Sequence, residues 1–412
     1  MPPDCGELRR LLAPVTPREF LTRYWGRKPL YIPGTADKFA ELAFDLPALT
    51  KAVDHRVPQG YLEVRFVGAD DQLTKGPSRP EDYRPADGIT LQAFRVCDRL
   101  ERLASFCAGI KIGMSLPGTV TMTGYAVPAG MGFRTHFDCQ PNFILQVEGT
   151  KRWRFSARPE VAWPPLNVTH AGRAAELTDR YPFLKVQYPP DERGFVEQVL
   201  SPGDVLFLPA GTWHQTQSID LSLSLTMTCI PRTTADVVED TLRTSLSRSE
   251  PWRSNVPPVL AEDVRPGRLP APVERFFEAR LAELRTLVRS LRAEDLYASW
   301  LRGAATFESP LGPRAEERAP SVAPGDVLTV ARDTPLRFVT NRETRTISLY
   351  HLDQRIDLAE AARPLVEALV KTSSFPAGRA CKWLGEGYAW EDVAPLLQEL
   401  VRAGILRVAT LR

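Results

Sequence analysis

TGYAVPAGMGFRTHFDCQPNFILQVEGTKRWRF, residues 123–155, reads as strands and turns from end to end. His136 and Asp138 stand two apart in an extended run, so both side chains point to one face of a sheet. The run Phe143-Ile-Leu-Gln-Val147 follows, where a further strand would pair, and Glu148-Gly-Thr-Lys151 supplies a turn. Gly118 to Val127, with Val120, Met122 and Gly124 alternating, reads as the strand before them. Outward from there, Asn142 to Gln146, Lys151 to Phe155, Phe195 to Leu200, Asp204 to Leu208 and Leu221 to Cys229 add short strands separated by Gly or Pro turns. That pattern predicts a sandwich or a closed barrel.

A second stretch, SPGDVLFLPAGTWHQTQ (201–217), places His214 after a tight Pro-Ala-Gly turn. Two imidazoles and one carboxylate hold a metal and leave coordination positions open, which is the ligand set of non-haem iron(II) oxygenases. A closed barrel brings His136 and Asp138 from an early strand together with His214 at the end of a late one. Cys139 adjoins Asp138, but the period of two turns it to the opposite face. A 2-oxoacid suits such a metal, because its keto oxygen and carboxylate chelate. Its far carboxylate then needs a fixed cation in the interior. Lys151 is the candidate; on spacing alone it reads equally as a solvated lysine in its turn, beside Arg152 and Arg154.

With 412 residues, two or three domains are expected. Fifty-two basic against 50 acidic residues give no field that would drive the whole molecule onto nucleic acid or an acidic membrane. The six cysteines are scattered without framework spacing and read as reduced thiols. No signal-like N-terminus and no long apolar run is present, so a cytoplasmic protein with no membrane contact is expected.

Before the barrel, Thr16 to Trp25 predicts a capped helix, Lys28 to Ile32 a strand, Leu46 to Val53 a helix, Tyr61 to Phe66 a strand, and Thr90 to Ile110 one or two helices. Ser156 to Asp191, Pro-rich and long, predicts a lid or binding loop. Thr234 to Ser247 and Pro272 to Ala305 read as helices. In the second, Val273, Phe276, Phe277, Leu281, Leu284, Leu287, Val288 and Leu291 form a stripe that needs burial, within the chain or against a dimer partner. After a Pro-rich link at 308–324, the order strand (Thr346–Leu352), helix (Leu358–Thr372), helix (Trp390–Ala403), strand (Gly404–Val408) suggests a winged helix. Its evenly spread basic residues favour protein contact over nucleic acid.

The run from Tyr125 through His136-Phe-Asp138 to LQVEGTKRWRF, together with PAGTWHQTQ, resembles the cupin-fold Jumonji-C oxygenases, and within them the ribosomal oxygenase group. TPREFLTRYWGRKPLYIPG (16–34) is similar to that group's N-terminal segment. The resemblance implies an α+β chain: a double-stranded β-helix (cupin, jelly-roll) barrel with N-terminal helices over 1–232, a helical dimerisation region over 233–306, and a C-terminal winged-helix domain over 325–412. It implies iron(II) on His136, Asp138 and His214, and 2-oxoglutarate held by Lys151, with Tyr125, Thr228 and Asn142 beside it. Thr228 stands where the family usually has serine.

The function implied is an iron(II)- and 2-oxoglutarate-dependent dioxygenase hydroxylating a side chain of a protein or peptide substrate, a ribosomal protein among the candidates, in a homodimer. The alternatives are a cupin oxygenase acting on a small metabolite or non-ribosomal peptide, and a non-catalytic metal-binding module whose winged helix does the work. His55, His170 and His351 are isolated and read as surface or structural. Arg134 and Gln140 flank the metal motif and are candidates to line a substrate groove.

Overall fold

The computed structural model describes residues 6–54, 62–69, 71–264, 266, 268–305, 321–331, 336–341, 345–351 and 354–409. His55, Tyr61 and most of the 308–324 link lie outside these residues.

Two short helices open the chain, α1 (Gly6–Leu12) and α2 (Pro17–Arg23). Thr16 caps the second by accepting from the Glu19 amide at 3.2 Å, with Pro17 in the first turn where its missing N–H is harmless. Phe20 then buries edge-on against Phe207, 4.8 Å between ring centres. The chain continues as β1 (Leu30–Ile32), α3 (Leu46–Ala52), β2 (Val64–Val67), β3 (Thr90–Ala93) and α4 (Glu101–Met114). The helix expected from Thr90 onward therefore starts eleven residues late. Thr90 to Ala93 sits between β2 and the next strand, and pairing on both edges overrides its weak helical pattern.

Then come β4 (Gly118–Val127), β5 (Gly132–His136), β6 (Asn142–Glu148), β7 (Lys151–Ser156), α5 (Ala171–Arg180), β8 (Phe195–Leu200), β9 (Val205–Leu208), β10 (His214–Ser218) and β11 (Ser222–Pro231). They form two sheets, in order β1-β9-β6-β11-β4-β3-β2 and β5-β10-β7-β8. Four strands of each, β9-β6-β11-β4 facing β5-β10-β7-β8, make a cupin-like double-stranded β-helix. β6 pairs with β9 and β11, in the sheet opposite β5.

Alternation gives the large sheet an apolar outer face and an inner face that carries polar residues beside a second apolar cluster. Val120, Met122, Phe143, Leu145, Leu223, Leu225 and Met227 join the core made with α1 to α4. Tyr125, Thr228 and Asn142 fall on the alternate positions. Ile144, Trp153, Phe155, Leu200, Leu206 and Leu208 form a separate apolar cluster.

After β11 come α6 (Thr234–Leu246), α7 (Glu250–Arg253), α8 (Ala271–Ser290) and α9 (Ala293–Ala305). The single long helix expected here breaks at Leu291, whose ψ of 142° is extended; the Arg292 amide then donates to Asp295 and starts α9. No residue of α8 is fully buried: Val273, Phe276, Leu284, Leu287 and the following Leu291 are half-buried, while Phe277, Leu281 and Val288 are 41%, 48% and 51% exposed, so the stripe is only partly covered within the described chain.

The last unit contains β12 (Val327–Val330), β13 (Arg337–Asn341), β14 (Thr346–His351), β15 (Gln354–Ala359), α10 (Arg363–Lys371), β16 (Ser374–Pro376), α11 (Arg379–Leu384), α12 (Trp390–Arg402) and β17 (Leu406–Val408). Two sheets result, β16-β12-β17 and β13-β14-β15. The strands expected at Thr346–Leu352 and Gly404–Val408 fall in different sheets. The helix expected from Leu358 begins only at Arg363, because Leu358 pairs with Ile347 across β15 and β14. No described helix is long and apolar enough to cross a membrane.

Candidate metal and co-substrate site

His136 ends β5 and His214 opens β10, and the two are directly opposite in the antiparallel ladder. Cross-strand neighbours of this kind share a face, and their ring centres lie 4.2 Å apart. Between His214 and Thr216 the register slips: Thr216 pairs with Phe133, so Arg134 and Thr135 together oppose Gln215. This is a β-bulge, a device that re-aims side chains beside active sites.

Asp138 sits two residues past the end of β5, not on the strand itself. Its Oδ2 is 3.8 Å from His214 Nε2. One ligand atom from each of His136, Asp138 and His214 lies within 4.8 Å of the others, a spacing that could hold a metal ion. The turn before His214 uses Gly211 at φ 81°, and a Cβ there would come within 1.9 Å of the Val161 carbonyl oxygen. The Gly211 amide donates to the Asp138 carbonyl oxygen at 2.8 Å, tying the two ligand segments together.

Both imidazoles are fixed by their own backbone. His136 Nδ1 lies 2.7 Å from the Arg134 carbonyl oxygen and His214 Nδ1 2.8 Å from that of Thr212. A carbonyl can only accept, so each Nδ1 carries the proton and each Nε2 keeps its lone pair free for a metal. Burial, with the neighbouring His136, pushes His214 down to about 4. It is therefore neutral and ready to ligate across the physiological range. Behind Asp138, Asn142 donates to its Oδ2 at 2.8 Å, and the Thr228 hydroxyl donates to Asn142 at 2.7 Å. Thr228 and Asn142 thus form a relay onto the carboxylate.

Further along β7, Lys151 points inward at 2% exposure. Its ammonium lies 5.6 Å from the Tyr125 and Trp153 ring centres and 5.7 Å from that of Phe133. No carboxylate pairs with it among the described residues. Burial pushes it down to about 7. Ser218, its cross-strand partner on β10, has a buried hydroxyl without a hydrogen bond, and the Trp153 indole N–H is likewise unpaired. Buried polar groups are nearly always satisfied, so a lone cation and two unpaired groups around it mark a place for an acceptor-rich ligand. Tyr125 accepts from the Gln92 side chain at 2.9 Å, and burial and Asp138 push its phenol up, so it stays a neutral donor.

Of the residues named from sequence, the triad, Lys151 and Tyr125 meet around one interior, with Asn142 and Thr228 behind Asp138. Arg134 is exposed, and its amide donates to Asp71 at 3.1 Å. Gln92, Phe133, Trp153 and Ser218 were not named. Trp153 could have been found from Lys151-x-Trp153 alternation along β7; Gln92 could not, since its strand read as helix.

The segment expected to be a lid or binding loop packs against the segments that carry the ligands. Leu166, Val168, Ala174 and Leu177 cluster with Phe137 and Trp213, the immediate neighbours of the ligands. The amides of Phe137 and Val168 exchange hydrogen bonds at 3.0 Å, and Cys139 donates to Asn167.

Residues 91–237 match the JmjC domain family. YxbC of Bacillus subtilis is 26% identical over 234 residues, covering 54% of this chain and 70% of that one. Human Ribosomal oxygenase 1 is 26% identical over 238 residues, covering 54% of this chain but 34% of its own length. Among solved structures, YcfD, a ribosomal oxygenase from Escherichia coli in complex with cobalt and 2-oxoglutarate, superposes with a TM-score of 0.53 at 18% identity, over 96% of this chain and 99% of that one. At that identity the likeness is one of fold. The match to the JmjC domain over residues 91–237 agrees with the Jumonji-C family that the chain's motifs resemble.

Proposed function

We propose that the protein is an iron(II)- and 2-oxoglutarate-dependent oxygenase that hydroxylates an amino-acid side chain of a protein or peptide, with a ribosomal protein as the substrate class. The observation that carries this reading is a His-Asp-His cluster in one interior with the buried Lys151 ammonium, which has no carboxylate partner among the described residues. Iron(II) on the cluster supplies oxygen activation driven by decarboxylation of 2-oxoglutarate. The chain's residues do the rest. His136 and His214 present Nε2, and Asn142, held by Thr228, fixes the orientation of Asp138. Lys151, with Ser218 and Tyr125 near it, binds and orients the far carboxylate of the co-substrate. Trp153 and Phe133 keep water from that ammonium and so strengthen its pull on an anion. The ribosomal substrate is supported by the names of the similar proteins; the cytoplasm as site of action is supported by the free state of Cys97, Cys107, Cys139, Cys229 and Cys381.

The test is succinate release from 2-oxoglutarate with iron(II) and ribosomal protein fractions, with mass spectrometry for the gain of one oxygen. Succinate formation with no gain of oxygen on any protein fraction would argue for the small-metabolite alternative.

The same reading includes a homodimer formed through 233–306 and a winged-helix-like contact unit over 325–412. The exposed part of the stripe on α8, Phe277, Leu281 and Val288, supports the first, since apolar surface left in water is a liability. Three helices beside the β16-β12-β17 sheet support the second. Leu281→Arg should convert the dimer to monomer in sedimentation velocity without changing the melting of the barrel. A wild-type chain that sediments as a monomer at micromolar concentration would remove the dimer.

A further inference from the structure

One carboxylate is hydrogen-bonded to three strands of the small sheet at once. Glu192 lies in a single 3-10 turn, Glu192–Gly194, at the end of the long segment that follows β7. Its Oε1 accepts from the Thr135 hydroxyl on β5 at 2.7 Å. Its Oε2 accepts from the Gln215 amide on β10 and from the Arg154 guanidinium on β7, both at 2.9 Å. Thr135 adjoins His136 and Gln215 adjoins His214, and alternation turns each away from the face its histidine occupies. Thr135 and Gln215 are also the residues that oppose one another in the bulge between the two ligands. The carboxylate therefore closes the bulge from behind, one residue from each imidazole.

We propose that Glu192 is a positioning residue for the metal site, pinning the β5–β10 bulge so that His136 and His214 converge on one ion. The proposal rests on the reading of the triad as a metal site. A bulge disrupts the ladder locally, so its backbone is free to shift, and a shift here would swing an imidazole off line. Three donors on one carboxylate, one of them charged, hold it in place. The long segment then serves as a brace behind the metal. The Phe137–Val168 ladder and the Cys139–Asn167 bond hold the neighbours of Asp138 in the same way that Glu192 holds the neighbours of the histidines.

The experiment is a cobalt(II) titration of the apoprotein, read by the visible absorption of the bound ion, with far-UV circular dichroism and melting alongside. Wild type and His136→Ala come first; absence of triad-dependent cobalt binding in wild type would overturn the metal reading itself and this proposal with it. Given binding, Glu192→Ala should weaken it about 10- to 100-fold and shift the absorption band, the range seen when outer partners of metal ligands are lost. Glu192→Gln, which can still accept from Thr135, should recover part of both. Glu197→Ala removes an ion pair to Arg152 from the same sheet and should bind as wild type. Should Glu192→Ala fail to fold, Thr135→Val and Gln215→Leu each remove one arm and should each weaken cobalt by several-fold. Wild-type affinity and spectrum in a folded Glu192→Ala, or in both single-arm variants, overturns the proposal, as does an equal loss in Glu197→Ala.

Discussion

Replacing His136 by alanine is expected to abolish 2-oxoglutarate turnover while leaving the fold intact. The side chain is only partly buried, and its one hydrogen bond is to its own strand, so its removal disturbs little packing. What it takes away is one of three ligand atoms. Losing an outer partner of a ligand costs about 10- to 100-fold in affinity or activity, and losing the ligand must exceed that. Succinate release should fall by more than ~100-fold, with loss of iron or cobalt binding in parallel. Turnover at the wild-type rate in a metal-free His136→Ala preparation would sink the assignment.

Lys151→Met should act in opposite directions on stability and on function. An unpaired buried ammonium is expensive, and methionine of similar length removes it without opening a cavity. Three aromatic rings at 5.6 to 5.7 Å recover only part of that expense. We expect the variant to be more stable by roughly 2 kcal/mol near pH 6. It should also lose 2-oxoglutarate affinity by about 10- to 100-fold, the worth of a charge-assisted hydrogen bond.

The lysine titrates near 7 in the folded chain against an ordinary 10.5, so the unfolded chain binds the extra proton between those values. Wild-type stability therefore rises with pH across that window, and the advantage of the variant, full below pH 7, closes toward pH 10.5. Co-substrate binding needs the charged form, so it is strongest below about 7 and weakens above it, with proton uptake on binding at pH 8. Melting at pH 6 and 9, and calorimetry in two buffers of different ionisation heat, read both effects. A variant less stable than wild type at pH 6 would mean that Lys151 is paired after all.

The residues that do chemistry were the legible ones. Histidine and aspartate at a spacing of two, and a histidine after a Pro-Ala-Gly turn, are unusual side chains in a readable frame. β10 escaped because its inward residues, His214, Thr216 and Ser218, are polar; alternation was present but hydrophobicity did not mark it. β3 escaped because four residues between two partner strands carry no period of their own. Thr228 and Asn142 came from resemblance, and only the folded barrel brings them together, each holding the next and then Asp138. Glu192 was beyond reach: its three partners lie 57, 38 and 23 residues away, and no local pattern joins them.

The opposed histidines of β5 and β10 also make the site a check on folding. Side chains alternate, so a slip of one residue along β10 would turn His214 outward and bring Gln215 and Gln217 to the interior. Glutamine does not hold iron. A misaligned barrel could keep its hydrogen bonds and much of its core and still take up no metal. Metal taken up by a preparation saturated with the ion thus reports correctly threaded molecules, and protein that stays unloaded at saturation is the pool in which threading errors hide.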